Sequence, residues 1–147
     1  MHRHGYKGRK LHRETDQRTA LIKGLADALI LNKRIETTHA KAKEVLPYME
    51  RLISKAKVGD LHNRRQVISA LNTLAAANML VDEIAPKLKK RQSGFLRIKR
   101  TTTRKGDSAQ LSLVEFVDEL GLEADAAPKE AATPAQKESK KWIKLIR

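Results

Sequence analysis

Hydrophobic positions begin to recur at helical spacing only after residue 13. Thr15 or Asp16 is placed to cap a first helix in which Ala20, Leu21, Ile22, Leu25, Ala28 and Leu29 form one stripe, ending near Asn32-Lys33. Arg34-Ile35-Glu36-Thr37 then reads as a short strand. Thr38 offers the N-cap of a second helix whose Ala42, Val45, Leu46, Met49, Leu52, Ile53 and Ala56 return at three- and four-residue steps, the clearest amphipathic segment of the chain. Pro47 inside it predicts a kink, and Gly59 marks its end. Asp60 caps a third helix, Leu61 to Leu71, with Val67, Ile68 and Leu71 apolar and Arg64-Arg65 on the opposite side. After Asn72-Thr73, a fourth helix from about Leu74 to Ala85 presents Leu80, Val81 and Ile84 and is expected to stop at Pro86.

The period then changes from helix to strand. Beyond a basic loop, Lys87 to Ser93, Gly94 opens a strand in which Leu96 and Ile98 alternate with Arg97, Lys99 and Arg100, as expected if one face meets the helices and the other a polyanion. Thr101 to Ser108 reads as a loop carrying Arg104-Lys105-Gly106-Asp107. The last strand, Ala109 to Glu119, holds Leu111, Leu113, Val114, Phe116 and Val117; its alternation breaks at Leu113-Val114, which predicts a bulge there or burial on both faces. Helices followed by a hairpin indicate an α+β fold, a two-layer domain of four helices packed on a small sheet with a C-terminal β-hairpin. Residues 1–13 have no hydrophobic period and read as an extended basic tail, ordered only when it lies on its partner. Residues 14–120 are then the globular domain. From Gly121 to Arg147 the composition shifts to Ala, Glu, Lys, Pro and Thr, a linker-like extension. It ends where Trp142, Ile143, Leu145 and Ile146 mix with Lys140, Lys141, Lys144 and Arg147, a short basic amphipathic segment.

Charge turns this domain into a candidate for a polyanionic partner. The 147 residues carry 31 Lys+Arg against 17 Asp+Glu, a net charge of +14. Five of the cations, Arg3, Lys7, Arg9, Lys10 and Arg13, lie in the acid-free tail. Nine more, Lys87, Lys89, Lys90, Arg91, Arg97, Lys99, Arg100, Arg104 and Lys105, lie in a second acid-free run, and these two stretches account for the whole excess. Such runs are ordinarily solvated, whereas a polyanion site concentrates one sign on an ordered surface. Here the tail interleaves its cations with Gly5, Gly8, Tyr6 and the imidazoles of His2, His4 and His12, which suits close approach to a phosphate backbone. The second run passes straight into a strand. Aromatic residues make up only 3%, too few for a platform on which single-stranded bases stack, so recognition of folded nucleic acid through backbone and shape fits better. The candidate RNA-binding residues are therefore Arg3, His4, Lys7, Arg9, Lys10 and Arg13 in the tail and Arg97, Lys99, Arg100, Arg104 and Lys105 as a rigid site, widened by Lys90-Arg91 and Arg64-Arg65.

Catalytic chemistry finds no constellation. With no Cys there is no disulfide framework, thiolate nucleophile or thiolate zinc site. The five histidines, His2, His4, His12, His39 at a helix start and His62 near another, lack the spacing of metal ligands; His2 and His4 are better read as phosphate donors or exposed side chains. There is no Gly-rich phosphate loop. No enzyme activity, cofactor, metal or small-molecule substrate is expected. No run of about 18 apolar residues occurs, and Met1-His2-Arg3-His4-Gly5 lacks the apolar stretch of a secretory signal, so a soluble, cytoplasmic protein with no membrane partner is expected. Two rivals remain. One is a DNA-binding architectural or regulatory protein using the helix pair 60–85 as a helix-turn-helix. The other is a membrane-surface or partner-docking module using Trp142 to Arg147.

Several blocks carry a resemblance. His4-Gly5-Tyr6-Lys7-Gly8-Arg9-Lys10-Leu11-His12-Arg13, then Arg34-Ile35-Glu36-Thr37-Thr38-His39-Ala40-Lys41-Ala42-Lys43-Glu44, Leu52-Ile53-Ser54-Lys55-Ala56-Lys57 and Asn63-Arg64-Arg65 resemble the bacterial large-subunit ribosomal protein L-seventeen family. Ser93-Gly94-Phe95-Leu96-Arg97-Ile98, Arg104-Lys105-Gly106-Asp107-Ser108-Ala109 and Val114-Glu115-Phe116-Val117 look like that family's closing hairpin. The ordered series spans about residues 1–120. The family's usual Gly-Gly-Tyr-Thr-Arg run is here Ser93-Gly94-Phe95-Leu96-Arg97, so a tyrosine hydroxyl is missing, and the tail differs in its His/Arg order. The resemblance implies an α+β structural protein of the large ribosomal subunit. It implies binding to large-subunit rRNA beside neighbouring large-subunit proteins, near the outer end of the peptide exit tunnel. Nothing in it extends to residues 121–147.

Overall fold

The second helix organises the chain. In a computed structural model, which describes residues 8–118, His39–Val58 forms the 20-residue helix α2, running as one helix through Pro47. Its stripe of Ala42, Val45, Met49, Leu52, Ile53 and Ala56 is buried, as its spacing requires. Gly59 closes it at φ 74°, a left-handed conformation that glycine adopts without the Cβ clash other residues pay. Thr38 precedes it in extended conformation, but its side chain makes no capping hydrogen bond.

Three strands form one antiparallel sheet in the order β1 (Arg34–Thr38), β3 (Gln110–Phe116), β2 (Leu96–Thr103). The core face is set by directly opposed residues: Ile35 and Ile98 flank Val114, Leu96 faces Phe116, and Thr37 and Arg100 flank Ser112. Helix α2 packs across all three strands, and Glu50 Oε1 accepts the Leu96 backbone N–H at 3.2 Å, fastening the start of β2 to the helix. Phe95, one residue earlier, is buried beneath the Lys57 ammonium, 4.8 Å from its ring centre.

The remaining helices enclose the other side of α2. Thr15–Asn32 is α1, and Leu61–Ala70 is α3, capped as expected by Asp60, whose carboxylate accepts the Asn63 N–H at 2.7 Å. The fourth helix, α4, runs through Leu74–Asn78, a π-helical stretch Met79–Ile84 and a last α-helical turn Ala85–Lys87. Thr73 caps it by accepting the Ala76 N–H at 3.3 Å. The turn between α3 and α4 is tied down from two helices: Asp27 of α1 accepts the Asn72 N–H, and the Tyr48 hydroxyl of α2 donates to the Ala70 carbonyl.

Four expectations need correction. Pro86 does not end α4; with no N–H to donate and a ring pressing on the carbonyl four residues back, it is absorbed by the widened π turn just before it. The inward face of α1 keeps Leu29 of the expected stripe, with Ile22 and Leu25 packed at its margin, but is completed by Ala26, Asp27 and Ile30, while Ala20 is exposed; the helix follows Glu14 without a side-chain cap. A run as apolar as Ala20 to Leu31 supports more than one stripe, and packing on α2 selects among them. Strand β3 keeps register through Leu113-Val114; its alternation looks broken because the inward residue is Ser112, wholly buried, while Leu111 and Leu113 face outward. The irregularity lies instead on β2, between Arg100 and Thr103, where strand continues through the segment read as loop. Of the tail, Gly8 to Arg13 are described and touch the domain: Leu11 is half-buried, and Arg9 Nε lies 3.9 Å from Glu44 Oε1.

The choice of α1 face is testable by urea unfolding. Ile30→Ala, at a wholly buried position, should cost about 2–5 kcal/mol, and Leu21→Ala, at a half-buried position outside the core, markedly less.

Candidate nucleic-acid interface

Strand period decides which cations share a surface. Arg97 and Lys99 project from the face opposite the helices, and both grip one carboxylate: Glu115 Oε1 lies 2.6 Å from Arg97 Nε and 2.7 Å from Lys99 Nζ. Burial pushes the Glu115 carboxyl up, but the hydrogen bonds and charges of Lys99 and Arg97 outweigh it and hold it below its ordinary value. Arg100, read with them as one polyanion-facing set, falls on the other face. It stands opposite Ser112, at the end of the sheet where α2 begins.

At that edge three elements meet. His39, the first residue of α2, places Nδ1 2.9 Å from the Ser112 hydroxyl oxygen. Its Nε2 is buried and has no hydrogen-bond partner among the described residues. Lys43 lies one helical turn on, on the same side of α2. Burial first, then the charges of Lys43, Arg100 and Arg9, lower the imidazole's affinity for a proton, so at neutral pH the ring is uncharged. The hairpin loop belongs to the same end of the molecule, because Thr103 pairs with Gln110 and Thr38 with Leu111. There Arg104 clasps Asp107 through two hydrogen bonds, and Asp107 also accepts the Ala109 N–H at 3.2 Å. These contacts, the Arg104 hydrogen bond foremost, bring the Asp107 carboxyl down to about 2. Gly106, at φ 112°, supplies the turn, and Lys105 beside it is exposed.

Arg91 and Arg64 lie apart from this end, whereas Arg9 reaches it from the tail. Arg91 is bound to Asp118, Nη2 to Oδ1 2.9 Å, and its carbonyl accepts the Lys57 ammonium near the C-terminus of α2. Lys57 lies 18 positions after His39, roughly 27 Å along the helix at about 1.5 Å per residue. Arg64 spans from α3 to the π turn of α4, donating to both Asp82 oxygens at 2.8 Å and to Asn78 at 3.0 Å. It is a brace between helices. Arg65 and Lys90 are exposed and make no ion pair among the described residues. Arg9, Lys10 and Arg13 run along the edge of α1 and α2, where an open cleft of about 940 Å³ is lined by Gly8, Arg9, Leu11, Ile22, Lys43 and Pro47, among others. Arg3, His4 and Lys7, like Trp142 to Arg147, lie outside the described residues.

Residues 21–117 match the model of the family described as ribosomal protein L17. The chain belongs to that family. It is 48% identical over 116 residues to the large ribosomal subunit protein bL17 of Campylobacter jejuni strain RM1221, an alignment covering 79% of this chain and 97% of the relative. It is 46% identical over 118 residues to the bL17 of Campylobacter concisus strain 13826, covering 80% and 98%. The bL17 of Campylobacter lari strain RM2100 is 48% identical over 116 residues, with 79% and 97% covered.

In this L17-family chain the position of the missing tyrosine hydroxyl, Phe95, is a core residue. Sequence reasoning passed over Lys43 and Ser112 and saw His39 only as a residue without catalytic partners. The signal lay in the spacing of His39 and Lys43 at the mouth of the most amphipathic helix. Ser112 was hidden between two leucines.

Two outcomes check this geometry. A carboxyl held low stabilises the hairpin loop at every pH above its ordinary value and releases it only as pH falls through about 2. Slow exchange of the Ala109 amide should therefore persist into strong acid and be lost at neutral pH in Asp107→Asn. Arg64→Ala should lower the thermal unfolding midpoint, since it unties α3 from α4, with Arg65→Ala as a neutral comparison.

Proposed function

We propose that the chain is a non-catalytic structural constituent of the bacterial large ribosomal subunit, binding large-subunit rRNA through its phosphates and bridging segments that would otherwise repel. The observation that carries this reading is the convergence of Arg9, Lys43, Arg100, Arg104 and Lys105, from the tail, α2 and the hairpin, at one end of the domain. The positive end of the α2 dipole adds to them there. The named relatives and the family match support the ribosomal assignment. A place near the outer end of the peptide exit tunnel, beside neighbouring large-subunit proteins, is what the resemblance implies.

Counterion release drives such binding. Arg104 on the loop is held by Asp107 in an exposed ion pair that contributes little to folding, so a phosphate can replace that carboxylate cheaply; Arg97 and Lys99 on the outer sheet face are oriented by the largely covered Glu115 carboxylate and turn their remaining N–H donors to a phosphate. Lys90, Arg91, Arg65 and the first tail residues, Arg3, His4 and Lys7, extend the contact where rRNA wraps further. Immobilising a tail costs ordering entropy, offset only when several phosphates are met together.

The DNA-binding alternative fits α3 and α4 poorly. Arg64 is spent on Asp82 and Asn78, and the helix that would enter a groove exposes Asp82 and Glu83.

If about six cations meet phosphates, log affinity for an rRNA fragment should fall against log salt with a slope of roughly −4 to −5.5; a slope near zero in filter binding removes the reading. Deleting residues 1–13 should weaken rRNA binding and leave the circular-dichroism helix signal unchanged, because the described tail residues 8–13 include no fully buried core residue. The DNA reading predicts instead that Arg64→Gln/Arg65→Gln does more damage than the deletion.

A further inference from the structure

Several cations on this domain pair with acids: Arg64 with Asp82, Arg91 with Asp118, Arg97 and Lys99 with Glu115, Arg104 with Asp107, and Arg9, at 3.9 Å, with Glu44. The edge around His39 is different. Lys43 and Arg100 are exposed and make no ion pair among the described residues. The charges acting on the imidazole are all positive: Lys43 from its own helix, Arg100 from β2 and Arg9 from the tail, while β1 and β3 bring only Thr37 and Ser112 to that face. Two further features ask for an anion. The first turn of the 20-residue α2 receives no hydrogen bond from the Thr38 side chain, and His39 Nε2 is buried without a partner.

We propose that His39, Lys43 and Arg100, with Arg9 at the rim, form a binding site for a single phosphate of an RNA backbone. The proposal rests on the reading of the chain as an rRNA-binding protein and assigns one contact within it. When the Ser112 hydroxyl donates to Nδ1, the imidazole proton sits on Nε2, so the neutral ring donates to a phosphate oxygen while Lys43 and Arg100 supply charge. An open cleft of about 670 Å³, lined by Gly8 to Glu14 and by Ala40, opens beside His39. Burial and then Lys43, Arg100 and Arg9 lower the ring's proton affinity; the charge of a phosphate there offsets the part due to the cations, so binding raises it.

The test follows the imidazole signals of the full chain by NMR, with inorganic phosphate as probe and sodium chloride at matched ionic strength as control. Phosphate should move the His39 titration upward and chloride should not, and Lys43→Gln/Arg100→Gln, both at exposed positions, should abolish the response to phosphate. A His39 indifferent to phosphate, or one whose response survives the double variant, overturns the site. In a second arm, the double variant should bind a large-subunit rRNA fragment about tenfold more weakly. Lys55→Gln/Lys89→Gln, which removes the same charge elsewhere, should change it much less. Equal losses overturn the site and leave the rRNA reading standing. A wild-type chain that binds phosphate but no rRNA overturns the RNA source and that reading with it.

Discussion

Helix α2 lies across the central strand β3, and that one contact fixes both the stability and the electrostatics of the domain. Val45, Met49 and Ile53 bury against a sheet face made of Val114 with Ile35 and Ile98 on either side. Because side chains on a strand alternate, seating Val114 inward also seats Ser112 inward, directly below the first residue of the helix. The polar residue in an otherwise apolar row is thus the one that receives His39. Slipping the register by one residue would turn Leu113 and Leu111 to the helices and bury Lys99 and Arg97, so the hydrophobic energy of the core holds the cations where they are.

The consequence is a molecule with unequal ends. Around Lys57, Arg91 and Asp118, and between α3 and α4, cations are tied into contacts that join elements of the scaffold. Around His39 and the hairpin loop they crowd together on exposed surface, and the tail returns to the same place. Self-repulsion of that kind is unfavourable in isolation and is tolerated because the core elsewhere outweighs it. A partner rich in phosphates removes the repulsion when it binds, which couples the domain's electrostatic cost to its proposed work. The outer sheet face mediates between these extremes, with Glu115 holding Arg97 and Lys99 in a fixed orientation.

Much of the architecture was legible in the residue pattern because α2 and α3 carry strong local signals: seven apolar positions at helical spacing, Gly59 at one boundary and Asp60 at the next. What escaped was decided by tertiary packing. The inward face of α1 depends on where α2 lies, since its long apolar run fits more than one rotation. Pro86 reads as a terminator unless the π turn before it is known. The strand cations looked like one set because Arg97, Lys99 and Arg100 are nearly consecutive, but a period of two separates Arg100 from the others and delivers it to His39. The brace from Arg64 to Asp82, 18 positions on, is invisible to local pattern. The family resemblance drawn from the ordered blocks agrees with the match over residues 21–117.

The central claim is that RNA is met at the end of the domain where α2 begins, not along its whole surface. Photo-crosslinking amino acids placed at Lys105, on the hairpin loop, and at Ser54, exposed near the far end of α2, test it inside cells. The account predicts abundant crosslinks to large-subunit rRNA from position 105 and few from position 54. Crosslinks from position 54 as strong as those from position 105, or none from position 105, would contradict it.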